Sequence, residues 1–382
     1  MDFALSEEQE AIFGMARAFA EERLAPHAVE WDRSCSFPAD VLREAAGLGM
    51  AGAYVSEEHG GSNLSRLDAT LIFEALAYGC PSIAAFLSIH NMCNWMIDSF
   101  GSPDQRASWV PRLCSMEAIA SYCLTEPGSG SDAAALRTTA RKEGNQLVLN
   151  GTKSFISGGG VSDLYLVMAR TGGEGASGVS AVLVEAGSEG LSFGAQEKKM
   201  GWNAQPTAEV RMDNCRVPAT CLMGEEGAGF KYAMMGLDGG RLNIAACSLG
   251  AAQAALDKAI RYMGERKAFG RRLADFQALQ FRIADMETAL QTARIFLRQA
   301  AWKLDNKARD ATRFCAMAKR YVTDAGFTVA NEALQLHGGY GYLADFGIEK
   351  SVRDLRVHQI LEGTNEIMRL IIARDLLEEA GG

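Results

Sequence analysis

Apolar positions along this chain repeat with two different periods, and the change of period divides it into three blocks. Over residues 1 to about 118 the spacing is helical. Ile12, Met15, Ala16 and Phe19 share one face behind the acidic turn Ser6-Glu7-Glu8, and Leu67, Leu71, Ile72 and Leu76 continue the pattern, as does the apolar segment from Ile83 to Phe100. Pro26, Pro38 and the run His59-Gly60-Gly61-Ser62-Asn63 mark breaks between helices. From about 119 to 226 the apolar runs shorten to strand length: Leu164–Met168, Val179–Val184 and Ala208–Met212, with glycine-rich turns between them. Two further runs flank Asn150-Gly151, a dipeptide that predicts a hairpin turning there. A β-domain of short antiparallel strands follows, a barrel or a sandwich. After Gly224–Phe230 helices return. Leu279, Ile283, Met286, Leu290, Ala293, Leu297, Ala300 and Leu304 are spaced alternately by four and three, a 3.5-residue repeat that suits a long helix in a bundle. The prediction is an α+β chain with an N-terminal α-helical domain (1–118), a middle β domain (119–226) and a C-terminal α-helical bundle (227–382).

Composition narrows the function classes. The 382 residues carry a net charge of −9, which argues against an electrostatic nucleic-acid binder. No apolar run reaches the roughly 18 residues that membrane insertion of a helix needs. Nine cysteines stand singly, with no C-x-x-C pair, so reduced and mostly buried thiols are expected rather than a disulfide framework or zinc site. The five histidines show no ligand spacing, and no metal is assigned. The stretch Met1–Glu10 has neither a basic n-region nor an Arg-rich targeting pattern. A cytoplasmic protein is expected, with the mitochondrial matrix as the compartment only if a transit segment has been removed.

Candidate chemistry is concentrated near the end of the chain, in His358-Gln359-Ile360-Leu361-Glu362-Gly363-Thr364-Asn365-Glu366. Ile367, Met368, Ile371 and Ile372 recur at helical spacing after Thr364, which reads as the N-cap, and Gly363 permits a sharp turn. A glutamate before a helix is by itself more often a solvated residue. The apolar neighbours Ile360 and Leu361 argue instead for partial burial, which raises a carboxyl pKa towards the range of a proton acceptor at neutral pH.

Four other stretches invite a ligand, and each has a bland alternative. Tyr122-Cys-Leu-Thr-Glu-Pro-Gly-Ser-Gly-Ser131-Asp132 contains a formal G-x-G-x-x-A match, but Arg141-Lys142-Glu143-Gly144-Asn145 leaves no room for the long helix a dinucleotide fold needs. A donor-rich turn holding polar cofactor atoms remains, beside an ordinary strand-end loop. Phe155-Ile156-Ser157 ends the hairpin, where an aromatic can equally pack inward. Gln335-Leu336-His337-Gly338-Gly339 is a helix end whose glycines permit phosphate contact, and Arg266 can pair with a phosphate or sit on the surface.

Taken together and in this order, these motifs resemble the acyl-CoA dehydrogenases over essentially the whole chain. The resemblance implies an N-terminal α-helical domain, a middle antiparallel β-barrel and a C-terminal four-helix-bundle-like domain, with FAD between the last two. It implies that Tyr122, Leu124, Thr125, Gly130, Ser131, Phe155, Ile156 and Ser157 hold the flavin side. Arg266, Phe276, Gln277, Gln335, Leu336, Gly338 and Gly339 would hold the adenosine and pyrophosphate side, largely across a subunit contact in a homotetramer (a dimer of dimers). Thr364, Asn365 and Glu366 would lie beside the cofactor. Glu362 matches the base that removes the α-proton of an acyl-CoA while a hydride leaves the β-carbon for the flavin, whose electrons pass to electron-transferring flavoprotein.

Some relatives carry the base on an earlier helix; that slot is Gly240 here, so Glu362 is the base that either arrangement offers. Ser131, Asp238, Gly239, Gly240, Arg241 and Arg374 match substrate-side positions. Glu197–Thr207, Asp238–Arg241 and Arg356–Gly363 look most like the branch of the family acting on isobutyryl-CoA in valine breakdown, with Gly239 and Gly240 leaving room for a branched acyl group. Short straight-chain and 2-methylbutyryl substrates are the alternatives. An acyl-CoA oxidase shares the motifs but is usually much longer, and a non-catalytic flavin or CoA binder has no need of Glu362.

Overall fold

A computed structural model describes residues 4–381; Met1–Phe3, part of the stretch read for targeting, and Gly382 lie outside the described residues. The chain opens with α1 (Glu7–Phe19), α2 (Ala28–Ser34), α3 (Ala39–Gly47), α4 (Arg66–Gly79), α5 (Pro81–Phe100) and α6 (Pro103–Cys114). Helices α1, α4 and α6 each start at a serine whose hydroxyl accepts from the N–H three residues on, while that residue's side chain accepts from the serine N–H. Two backbone donors are satisfied at each start, which fixes where these helices begin.

The strands are β1 (Ala120–Cys123), β2 (Thr139–Glu143), β3 (Gln146–Ser157), β4 (Leu164–Arg170), β5 (Val179–Glu185), β6 (Leu191–Phe193), β7 (Thr207–Pro218) and β8 (Leu222–Met223). They form one sheet in the order β6-β7-β3-β2-β4-β5-β8, with β1 also paired to β4. The sheet is mostly antiparallel, but β1–β4 and β2–β4 are parallel. The hairpin expected at Asn150-Gly151 is absent: β3 runs straight through it, with a register shift against β7 between Leu149 and Gly151. The chain turns earlier, at Gly144 (φ +61°) and Asn145, between β2 and β3. Gly151 serves the bulge instead, because a Cβ there would lie 2.4 Å from Thr138 Oγ1. Strand β4 is buried on both faces. Leu164, Leu166 and Met168 pack towards α5 and α6, while Tyr165, Val167 and Ala169 fill the interior of the sheet.

The last block comprises α7 (Gly229–Glu265), the short strands β9 (Lys267–Ala268) and β10 (Arg271–Arg272), α8 (Gln277–Asp305), α9 (Ala311–His337), α10 (Ile348–Arg356) and α11 (Asn365–Gly381). The 3.5-residue stripe is core: Met286, Leu290, Ala293, Leu297 and Ala300 of α8 are buried. One apolar core runs through α1, α3, α4, α5, α7, α8 and α9, so the first and last helical blocks bury their faces against each other. The approach is closest at Gly250 of α7, where a Cβ would lie 1.9 Å from Glu74 O of α4. No helix among the described residues is long and apolar enough to cross a membrane. All nine cysteines are free, and seven of them are buried.

Candidate active site

Glu362 sits in the turn between α10 and α11 with a left-handed backbone, φ +55°, followed by Gly363 at +86°. Such a φ is uncommon for a residue with a side chain and persists where surrounding structure enforces it. Here the enforcement comes from three sides. Thr364 caps α11, its Oγ1 accepting from Ile367 N–H (3.3 Å). The buried Lys319 of α9 donates from Nζ to Gly363 O and Asn365 Oδ1, both 2.8 Å. Asn365 in turn donates to Asp324 Oδ1 (2.7 Å), which also accepts from Gln359 (2.8 Å). Arg241 of α7 reaches Glu362 O at 3.5 Å from Nε and holds Asp238 Oδ1 at 2.7 Å; Thr312 donates to the other oxygen of Asp238 (2.7 Å).

Two of the expected site positions are defined by these contacts. Asn365 is buried and both its amide atoms are engaged within the protein, so its side chain fixes the turn. Gly239 and Gly240 do not leave a void. A Cβ at 240 would lie 2.6 Å from Glu362 Oε2, and one at 239 would lie 2.3 Å from Arg66 Nη1. The first glycine makes way for Arg66, whose guanidinium lies against the rings of Tyr54 and Trp95. The second is the seat of the Glu362 carboxylate. Neither marks a helix entry, since both lie well inside α7.

Glu362 as a residue is half-buried, yet its Oε2 is fully enclosed and has no hydrogen-bond partner. Burial pushes the carboxyl up to about 7, against the Arg241 and Lys319 charges that pull it down. Its charge reaches Tyr122 and Cys93, whose buried hydroxyl and thiol are both held well above their usual range by burial first. The Tyr122 Oη is likewise enclosed without a partner. A carboxyl of this kind is ionised for part of the time at neutral pH and has an oxygen free to take a proton.

The loop after β1 is pinned by a buried ion pair that the sequence motifs did not single out. Lys153 Nζ of β3 lies 2.8 Å from Glu126 Oε1 and donates to Leu124 O (3.0 Å), while Glu126 accepts from the N–H groups of Arg137 (2.7 Å) and Thr138 (2.9 Å). Thr125 O accepts from Ser154 N–H (2.8 Å). Leu124 and Thr125 are thus held beside β3, with Gly130 and Ser131 exposed at the loop tip. Only the short turn Ala133–Ala135 follows, so no dinucleotide-binding helix exists here. Phe155 has φ +59° and is 69% exposed, in the second register shift of β3, while Ile156 is buried. A strained, outward-facing aromatic beside Ser157 is poorly explained by core packing.

A cavity of about 540 Å³ opens on the far side of the helical block, between the ends of α7 and α9. Arg266, Gln335, Leu336, Gly338 and Gly339 all line it, with Arg282 as a second cation and Tyr262 and Tyr340 as aromatic walls. Cβ atoms at Gly338 and Gly339 would meet nothing within 4 Å, so their backbone is open to a ligand. Cations and exposed peptide groups can donate to a diphosphate, rings can stack on an adenine, and the volume suits an adenosine diphosphate moiety. Phe276 and Gln277 stand at the start of α8 outside this lining. The lining of this cavity includes no residue of the β-sheet loops. Glu366 and Arg374 are exposed on α11. Lys319, Glu126, Lys153 and Arg66 were missed; an isolated lysine or arginine in a helix or strand carries no motif, and Glu126 was read only as part of its loop.

Known proteins match this arrangement along its length. Family models described as the N-terminal, middle and C-terminal domains of acyl-CoA dehydrogenase match residues 6–117, 121–215 and 227–377. The chain is 55% identical over 375 residues to mitochondrial isobutyryl-CoA dehydrogenase of Bos taurus, covering 98% of this chain and 90% of that protein. It is 54% identical over 376 residues to the Dictyostelium discoideum protein of the same name, with the same coverage. The solved structure of butyryl-CoA dehydrogenase from Megasphaera elsdenii superposes with a TM-score of 0.95 at 37% identity, covering 99% of this chain and 100% of that one. With a carboxylate seated on a helix glycine, a loop pinned beside β3 and these matches over all three blocks, the chain belongs to the acyl-CoA dehydrogenase family.

Proposed function

We propose that this acyl-CoA dehydrogenase acts on isobutyryl-CoA, with Glu362 as the base. The observation that carries the reading is the enclosed, unpartnered Glu362 Oε2 on a carboxyl that titrates near neutrality. The α-proton of the thioester passes to this oxygen, and the Gly240 seat fixes the direction from which it is taken. The Glu362 N–H donates to no described residue. It is available to the thioester oxygen, where a hydrogen bond strengthens as enolate charge develops. FAD, when bound, supplies the hydride acceptor at the β-carbon. Leu124, Thr125, Phe155, Ser157 and Thr364 are proposed at its ring, and Arg266 with Gln335–Gly339 at its diphosphate half in a neighbouring subunit. Ser131 and Arg374, both exposed, are proposed on the outer, CoA-bearing side.

A homotetramer fits the exposed apolar side chains of Phe269 (95%), Phe281 and Trp302 on the β9–β10 turn and α8. Electron-transferring flavoprotein is the proposed acceptor. The reading keeps the cytoplasm as the compartment, with the mitochondrial matrix as the other place such an enzyme works; the names of both relatives call those proteins mitochondrial. Isobutyryl-CoA is favoured by the likeness to those two relatives, not by a void at Gly239 and Gly240.

Anaerobic addition of isobutyryl-CoA to the FAD-loaded protein should bleach the flavin band, and the Glu362→Gln variant should keep the band while losing the bleaching. Bleaching with butyryl-CoA but not isobutyryl-CoA would reject the branched substrate. Normal turnover of the Gln variant would remove Glu362 as base.

A further inference from the structure

Lys319 stands out among the buried groups that the reaction does not consume. It lies in the middle of α9 with no exposed surface, where a lysine is rarely found unless its charge is matched. No carboxylate among the described residues is bonded to it. Its ammonium donates instead to Gly363 O and Asn365 Oδ1, the peptide and side chain that flank the turn carrying Glu362. Thr323, one helical turn further along α9, closes the same knot by accepting from Asn365 Nδ2 (3.0 Å). Among the described residues Glu362 is the foremost opposed charge on this buried cation, ahead of Asp324 and Glu366, and Lys319 grips the peptide one residue past it.

We propose that Lys319 is a positioning residue for the reaction: it holds the Glu362–Gly363 turn in its left-handed conformation and supplies, beside Arg241, positive charge that favours the ionised Glu362 carboxylate in its enclosed seat. The inference rests on Glu362 being the base. The groups facing both partners can be named. Glu362 meets Arg241 from α7, Lys319 from α9, Tyr122 from β1 and Cys93 from α5. Lys319 meets Glu362, Arg241, Asp324 and Glu366, with His358 nearby. Arg241 is the larger cationic influence on the carboxylate, although it is paired with Asp238 at 2.7 Å; Lys319 adds a second cation, to which no carboxylate is bonded among the described residues. Burial pulls the Lys319 ammonium down to about 7, against the Glu362 charge that pushes it up. The two groups therefore titrate over the same range and lose their protons as a pair.

Lys319→Gln separates charge from geometry, because the amide can still donate to Gly363 O. An opposite charge at this range lowers a carboxyl pKa by about one unit or more. The acid limb of the kcat/KM profile should thus move up by about one pH unit in this variant, with about tenfold lower kcat/KM on that limb and near-normal values on the alkaline plateau. Lys319→Arg should restore the wild-type limb. A rate that falls equally at every pH, with the limb unmoved and FAD retained, would leave only a structural role and overturn the proposal.

Should Lys319→Gln fail to fold, the coupling can be read from the other partner. In Glu362→Gln protein labelled at lysine Cε with ¹³C, Lys319 should titrate at lower pH than in the wild type; an unchanged titration would overturn the proposal. If flavin bleaching by isobutyryl-CoA also fails in the wild type, the functional reading has failed, which these lysine measurements distinguish.

Discussion

The carboxylate of Glu362 occupies the space that a side chain at Gly240 would need, with Oε2 2.6 Å from the place of a Cβ. Base and helix backbone are therefore in contact, and one methyl group separates a working geometry from a displaced one. Gly240→Ala should retain the fold, because the atom in the way is the end of a flexible side chain. Alanine in a helix interior is also worth about 0.5–1 kcal/mol over glycine. Turnover should nevertheless fall about 100-fold, since a displacement near 1 Å at a reacting group costs that much. Steady-state rates beside a thermal melt would check this, and unchanged turnover would show that Glu362 has room to spare.

Glu362 works as a base only when ionised, and its carboxyl titrates at about 7. Below that pH kcat/KM should fall about tenfold per unit, and above it the profile should level. The same group opposes folding as pH rises: its folded pKa exceeds the ordinary value, so the folded state holds the extra proton and stability declines between about 4.5 and 7. Glu362→Gln should remove this decline. Activity and denaturation profiles over that range would test both signs.

Lys153 and Glu126 form a buried pair that anchors the Leu124–Ser131 loop to β3. Removing one partner of such a pair leaves a buried charge uncompensated, at a cost of about 3–5 kcal/mol. Lys153→Met should therefore lower the denaturant midpoint substantially and weaken FAD retention, measured by flavin release on dilution. Tight FAD binding in a destabilised variant would mean that the loop needs no anchor.

His90 is buried with Nε2 2.8 Å from Leu113 O and Nδ1 accepting from Ala120 N–H (3.2 Å). This fixes one neutral tautomer, and burial pulls its pKa down to about 4. The unfolded chain takes up a proton near 6.5 that the folded chain refuses, so stability is lost as pH falls from about 6.5 to 4. The slope contributed by this residue is about 1.4 kcal/mol per pH unit. His90→Asn should be less stable at pH 7.5 but show a flatter acid dependence in urea titrations.

Much of this architecture can be read from periodicity and short-range chemistry. The Ser6 cap, the α8 stripe and the Thr364 cap are local, and they stand where the spacing places them. The Asn150-Gly151 reading failed because a tertiary neighbour, Thr138, decides whether that glycine makes a turn or a bulge. Of the candidate site, Glu362 and Gln335–Gly339 lie in motifs that the sequence displays. The site was not legible where the partners lie far apart in sequence. Lys319 and Gly363 are 44 residues apart, and Lys153 and Glu126 are 27. Asn365 shows the converse: a residue inside a motif whose side chain faces the protein interior.

The apolar face shared between the first and last helical blocks bears on how the protein is made. Residues Ala69–Ala77 of α4 are buried without a break, largely against α7, which begins only at Gly229. During synthesis α4 and α5 leave the ribosome well over a hundred residues before their covering helix. At 5–20 residues per second this leaves an oily surface uncovered for on the order of ten seconds. The nascent chain is thus a natural client for chaperones, and slow translation between α6 and α7 should lower the yield of native enzyme even when no residue is changed.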